Sequence, residues 1–253
     1  MAVTPPPGGA AAGTAADAPR RPWRAGTFVL AVVAVVLLTL VLAAAARDRG
    51  QDPSTTVSVS ADSVRTVDLQ APPGQLTIIA VRTGQVTLSG PVSWTGRSAV
   101  IVTRPRFAGG VLHLAYRCAA HSPCTGRLRL VVPQHCGVAL WVPSGHVIAS
   151  GLAGPLWISA RSVDISAAGL RAPSLDAKIT SGHLSATFDS PPRRLSVTLI
   201  SAQATLRLPA SATYRLSQQV TSGYVHADIP QASDSARTIA ARINSGELEL
   251  LPR

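Results

Sequence analysis

The chain has 253 residues and a formal net charge of +11, with 46% hydrophobic residues but only 4% aromatic ones. Its core must be built from Val, Leu, Ile and Ala, which suits stacked strands, where β-branched side chains pack well. The charge sits on scattered arginines, the closest being Arg20-Arg21, Arg104/Arg106, Arg127/Arg129 and Arg193-Arg194; no aromatics interleave and no binding motif accompanies them, which argues against a nucleic-acid partner and for attraction to an anionic envelope.

Residues 1–26 are rich in Pro, Gly and Ala, with the run Pro5-Pro6-Pro7-Gly8-Gly9. They cannot bury a core and are expected to be a disordered cytoplasmic tail. Residues 27–46 carry no charge. A helix rising ~1.5 Å per residue would span about 30 Å over this stretch, the thickness of the hydrocarbon core. Arg20, Arg21 and Arg24 precede it with Trp23, whereas Arg47 and Arg49 follow diluted by Asp48 and Asp52. The bias places the N-terminus in the cytoplasm and the C-terminal part outside, with the lipid bilayer as partner of residues 27–46. The rival is a signal peptide cleaved near Ala43 to Ala46, but its apolar region would exceed the usual stretch of ~7–15 residues. Either reading exports the rest of the chain. Residues 47–56 read as a polar linker.

The β-strand domain begins at residue 57, and residues 57–137 are strand-rich but irregular. Leu76 to Val81, Ala99 to Thr103, Val111 to Tyr116 and Leu128 to Val132 read as strands. Thr83-Gly84-Gln85-Val86-Thr87-Leu88 reads as an early copy of the repeat described below. Whether this region continues that repeat or caps it stays open. Three cysteines follow, Cys118, Cys124 and Cys136. In an exported protein a Cys118–Cys124 disulfide is the expected pairing, leaving Cys136 free and buried or joined to another chain. The alternative is a zinc site from Cys118, His121, Cys124 and His135 or Cys136, whose spacing is not that of a standard finger.

Residues 138–251 repeat. Ser-Gly corners occur at Ser144-Gly145, Ser181-Gly182, Ser222-Gly223 and Ser245-Gly246, with degenerate copies at Ser162-Val163 and Ser201-Ala202. Two residues before each serine stand Val142, Ala160, Ile179, Leu199, Val220 and Ile243, and six before stand Val138, Leu156, Leu175, Leu195, Leu216 and Ile239. Three after stand Val147, Ile165, Leu184, Ala204, Val225 and Leu248, and five after stand Ala149, Ala167, Ala186, Leu206, Ala227 and Leu250. Offsets differing by two are strand periodicity with one buried face. Each unit is two short strands joined at a corner, and a unit of about 20 residues must stack on its neighbours to bury its apolar face. The fold class is all-β: a short right-handed parallel β-helix or β-roll, preceded by one transmembrane helix. The outward glutamates of Glu247-Leu248-Glu249-Leu250, followed by Pro252, are expected to blunt the exposed terminal edge.

The segment Gly126-Arg127-Leu128-Arg129-Leu130-Val131-Val132-Pro133, with Val142-Pro143-Ser144-Gly145-His146-Val147 and the later Ser-Gly copies, resembles the bacterial putative-adhesin family over roughly residues 57–251. The resemblance implies a β-helical, membrane-anchored ectodomain of unknown function. Members often carry more Asp after the corner; this chain has His, Gln and Tyr there.

His146, Asp164, His183, Gln203, Tyr224 and Glu247 share one offset and are expected to form an outward row. Asp164, Asp176, Asp189 and Asp228 fall in different units, and no nucleophile elbow, phosphate loop or metal-protease motif is present. The reading is therefore non-enzymatic, with no cofactor and no metal. A face of His146, His183, Tyr224 and His226 is expected to meet an anionic cell-wall polymer or an envelope protein. The alternatives are an envelope-sensing regulator and a β-helix enzyme acting on glycans.

Overall fold

Alternating burial on both sides of a glycine corner is the unit of this molecule. The computed structural model describes residues 49–52, 56–95, 101–102, 105–117 and 124–253. The tail expected over residues 1–26 and the transmembrane helix expected over residues 27–46 lie outside these residues, as does Cys118. Among the described residues all regular structure is strand, and no helix is long and apolar enough to cross a membrane.

The first ten strands are β1 (Arg49–Asp52), β2 (Val57–Ser60), β3 (Thr66–Gln70), β4 (Gly74–Val81), β5 (Gln85–Ser89), β6 (Val92–Thr95), β7 (Ile101–Val102), β8 (Arg106–Ala108), β9 (Val111–Arg117) and β10 (Cys124–Pro133). Six longer strands follow: β11 (Gly137–Ser150), β12 (Leu156–Leu170), β13 (Ser174–Phe188), β14 (Arg194–Leu208), β15 (Arg215–Ala227) and β16 (Thr238–Pro252). β1 occupies part of the expected linker, where Arg49–Asp52 pair antiparallel with β6.

The long strands stack in parallel and in register. The rows expected from sequence are observed: Val138, Leu156, Leu175, Leu195 and Ile239 lie side by side, as do Val142, Ala160, Ile179, Leu199 and Ile243. In β13 the inward residues Leu175, Ala177 and Ile179 are buried before the corner, and Leu184, Ala186 and Phe188 after it. The phase of burial slips by one residue at Ser181-Gly182, so both arms face the same core. The expected pair of short strands is one continuous strand, because at the corner the ladder skips only the residue before each serine, such as Arg161 between Ala160 and Ser162. The buried side chains form a single cluster. Each fully buried Leu, Ile or Val in it contributes about 1.5–3 kcal/mol of transfer free energy.

The irregular half both continues this stack and caps it. β11 pairs in parallel with β3 through its first arm and with β4 through its second, so β3 and β4 form one unit whose corner is Pro72-Pro73-Gly74. β9 and β10 repeat that arrangement one level further out. Antiparallel strands then cover the far edge: β5 and β6 on β10, β8 and β7 on β9. The expected early copy at Thr83-Gly84 is therefore not in the column. β5 runs antiparallel to β10 and β2, and Gly74 is the residue aligned with Gly145.

At the other end the order departs from the sequence. The neighbours run β14-β16-β15 rather than in chain order. Glu247-Leu248-Glu249-Leu250 therefore lies inside the sheet, not at its edge, and β15 is terminal. Leu216, Val225 and Ala227 of β15 are only partly buried, and Val220 is 41% exposed. Gln218 stands in the inward row of Ala177, Val197 and Ala241. Only the last level of a stack tolerates an amide there, because its inner face is not covered by a further level.

Candidate functional site

The second arm of each unit presents one outward row. In spatial order it reads Arg127, Gln75, His146, Asp164, His183, Gln203, Glu247, Tyr224. Parallel register at about 4.8 Å per strand places each next to the last. The row is knitted to itself. His183 Nδ1 lies 3.4 Å from Asp164 Oδ1, and Nε2 lies 2.6 Å from Gln203 Oε1. Tyr224 donates its hydroxyl to Glu247 Oε1. That hydrogen bond to a carboxylate, followed by slight desolvation and the charges of Glu247 and Glu249, pushes the Tyr224 phenol above its ordinary pKa. Of the four residues expected to form a contact face, His146, His183 and Tyr224 share this row. His226 stands in the next one, beside Glu249, which accepts a 3.2 Å hydrogen bond from Thr205 Oγ1. His183, Gln203, Thr205, Glu247 and Glu249 are among the residues that line a depression of about 190 Å³.

Cys124 is disulfide-bonded, and Cys136 is a buried free thiol. Cys118, the partner expected for Cys124, lies outside the described residues, as does His121 of the alternative zinc set. Burial raises the Cys136 thiol pKa, only partly opposed by a hydrogen bond from the Val67 backbone. Cys136 is thus held as the neutral thiol.

The first arm carries what the sequence reading missed. Its outward row runs Asp68, Ala139, Trp157, Asp176, Ser196, Ala240, Ser217; the row beside it runs Gln70, Trp141, Ser159, Lys178, Thr198, Arg242, Gln219. Trp141 and Trp157 are therefore diagonal neighbours on one face, 48% and 41% exposed. A groove of about 650 Å³ starts at Trp157 and is lined by Asp176, Arg193, Arg194, Arg215 and Thr238, among others. Arg194, Thr238 and Arg215 form one row at the start of β14, β16 and β15. The signal was in the sequence: outward offsets of successive units, three before Ser144 and five before Ser162, hold two of the chain's four tryptophans.

No family model matches the sequence, and no curated protein matches it. Solved structures similar to it include a putative cell adhesion protein from Clostridium sporogenes, 11% identical, with a TM-score of 0.49 over 79% of this chain and 99% of that one. A putative adhesin from Bacteroides fragilis is 8% identical, with a TM-score of 0.43 over 79% and 98%. Another from Parabacteroides distasonis is 12% identical, with a TM-score of 0.30 over 79% and 97%.

Proposed function

We propose that this chain is a non-enzymatic, membrane-anchored envelope protein of adhesin type. Residues 27–46 cross the bilayer with residues 1–26 in the cytoplasm, and the exported part is a parallel β-helix that offers flat outer faces to an anionic wall polymer or another envelope protein. The observation that carries this reading is the unbroken in-register stack from β9 and β10 to β15. Such a stack sets side chains of successive units in straight rows, which suits an extended partner better than a small substrate. In the His146–Tyr224 row, Asp164, His183 and Gln203 pair with one another and Tyr224 pairs with Glu247 instead of converging on a reacting centre, which favours contact over catalysis.

The test is retention of the full-length, detergent-solubilised chain on isolated cell envelopes. His183→Ala combined with Tyr224→Ala is expected to weaken retention several-fold. Equal retention of the double variant would remove this row as the contact face. Protease treatment of intact cells is expected to digest residues 57–251 and spare the tail; a protected C-terminal part would overturn the exported topology.

A further inference from the structure

We propose that the groove on the first arm binds an acidic polysaccharide, by stacking a pyranose ring on Trp157 and engaging its carboxylates with Arg193, Arg194 and Arg215. The proposal rests on the reading of this chain as an envelope-binding protein, and it places the anionic polymer on a different face from the His146–Tyr224 row.

Three observations converge. The first is the Trp157 ring, which is seated yet open. A Cβ at Gly137 would lie 3.2 Å from its Cζ3, so the missing side chain lets the ring settle over β11 while 41% of the residue stays exposed. A broad, rigid aromatic surface facing solvent is what the apolar C–H face of a sugar needs. Trp141, diagonal to it, extends the platform along the same face.

The second is charge. Arg193, Arg194 and Arg215 line the groove, and among the described residues their guanidinium groups form no ion pair; Asp176, in the same groove, forms none either. A planar guanidinium recognises a carboxylate through two parallel hydrogen bonds, and its weak hydration makes it the cation of choice for that contact. The Asp176 carboxylate and the Ser196 and Thr238 hydroxyls supply acceptors and donors for sugar hydroxyls. The second arm, by contrast, carries Asp164, Glu247 and Glu249 on its outer rows, which would repel the same polymer.

The third is dimension. The groove crosses the strands from β12 to β15, four strand spacings or about 19 Å. Arg194 and Arg215 stand two spacings apart, about 10 Å. A linear polymer lying across the strands therefore meets two cations about 10 Å apart, a span that a single small sugar acid would not bridge.

The experiment measures binding of a polygalacturonate oligomer to the full-length chain in detergent, with neutral dextran and inorganic polyphosphate as controls. The expected result is binding of the uronate, none of dextran, and at least tenfold weakening both in Trp157→Ala and in Arg194→Gln combined with Arg215→Gln. Should Trp157→Ala fail to fold, the wild-type chain decides: saturating uronate is expected to slow oxidation of Trp157 by N-bromosuccinimide, read by peptide mapping, at least fivefold. No uronate binding, uronate binding indifferent to Trp157, or polyphosphate binding as tight as uronate would each overturn the proposal, the last two by reducing it to ion exchange. His183→Ala with Tyr224→Ala is expected to leave uronate affinity unchanged. Uronate binding by a chain that is not retained on envelopes would sink the proposed function while leaving this site standing.

Discussion

Replacing Gly182 by Ala probes the closeness of the strands at the corner. Gly182 has φ +107°, a backbone conformation essentially reserved for glycine, and it stands between Val163 and Ala202 in the corner row. A Cβ there would lie 2.2 Å from the Val163 carbonyl oxygen. That oxygen belongs to the backbone and cannot swing aside, so the two strands must separate by most of an ångström or the corner must change shape. Holding an L-residue in such a conformation costs about 1–3 kcal/mol. The overlap adds to that, and the stiffer unfolded chain offsets only ~0.4–1 kcal/mol. The net is a loss of about 2 kcal/mol or more, a drop in Tm of roughly 4–8 °C for a chain of this length. Thermal unfolding of the full-length chain in detergent, followed by circular dichroism, reads it directly. Ser185→Ala, on the outward face three residues on, is expected to stay within ~0.5 kcal/mol. Equal midpoints for Gly182→Ala and wild type would refute the fixed shape of this corner, because the residue would then have taken up a conformation that admits a side chain, as Val163 and Ala202 carry one in the same row.

The strand order β14-β16-β15 separates two otherwise similar valine and isoleucine positions. Val220→Lys is expected to change stability by less than about 1 kcal/mol, since that residue is already largely exposed, whereas Ile243→Lys would bury an unpaired charge and prevent folding; the opposite outcome in urea titrations would restore chain order. Native Cys136 is expected not to react with a thiol-disulfide reagent until the chain unfolds, and rapid labelling of the folded state would contradict its burial. Its raised pKa means the folded state holds its proton longer than the unfolded state, so its contribution is complete below the unfolded thiol's titration range and disappears as pH rises through the folded value. Tyr224 follows the same sign, and Glu247→Gln is expected to lower the pH at which its phenolate absorbance appears.

The sequence revealed the rows because burial in a parallel stack depends on offset alone. Any residue six before a corner serine faces the core, whichever neighbour it meets. Register could therefore be read from Val138, Leu156, Leu175, Leu195, Leu216 and Ile239 without knowing the order of the strands. Order leaves a fainter trace, in what a terminal level is allowed to carry. Gln218 in an inward row was that trace, together with the spacing from Ser222 to Ser245, the longest in the series. Gly74 was missed for a related reason: its corner is Pro72-Pro73-Gly74 in place of Ser-Gly, although Leu76 and Ile78 continue the alternation as Val147 and Ala149 do.

The outward rows followed different rules. Inward positions accept only aliphatic residues, so their pattern is constrained by packing; outward positions accept almost anything, so their pattern carries information about partners. His146 and His183 recur at one offset, yet His183 is engaged by Asp164 and Gln203. The groove arginines come from different places in the chain: Arg193 precedes β14, Arg194 opens it and Arg215 opens β15, and the gap of two strand spacings between Arg194 and Arg215 exists only because β16 inserts between those strands. The swap that hid the strand order is thus also what sets Thr238 between two cations and spaces them along the groove. In chain order, Arg194 and Arg215 would sit on adjacent strands about 4.8 Å apart, close enough to repel rather than to bracket an anion between them.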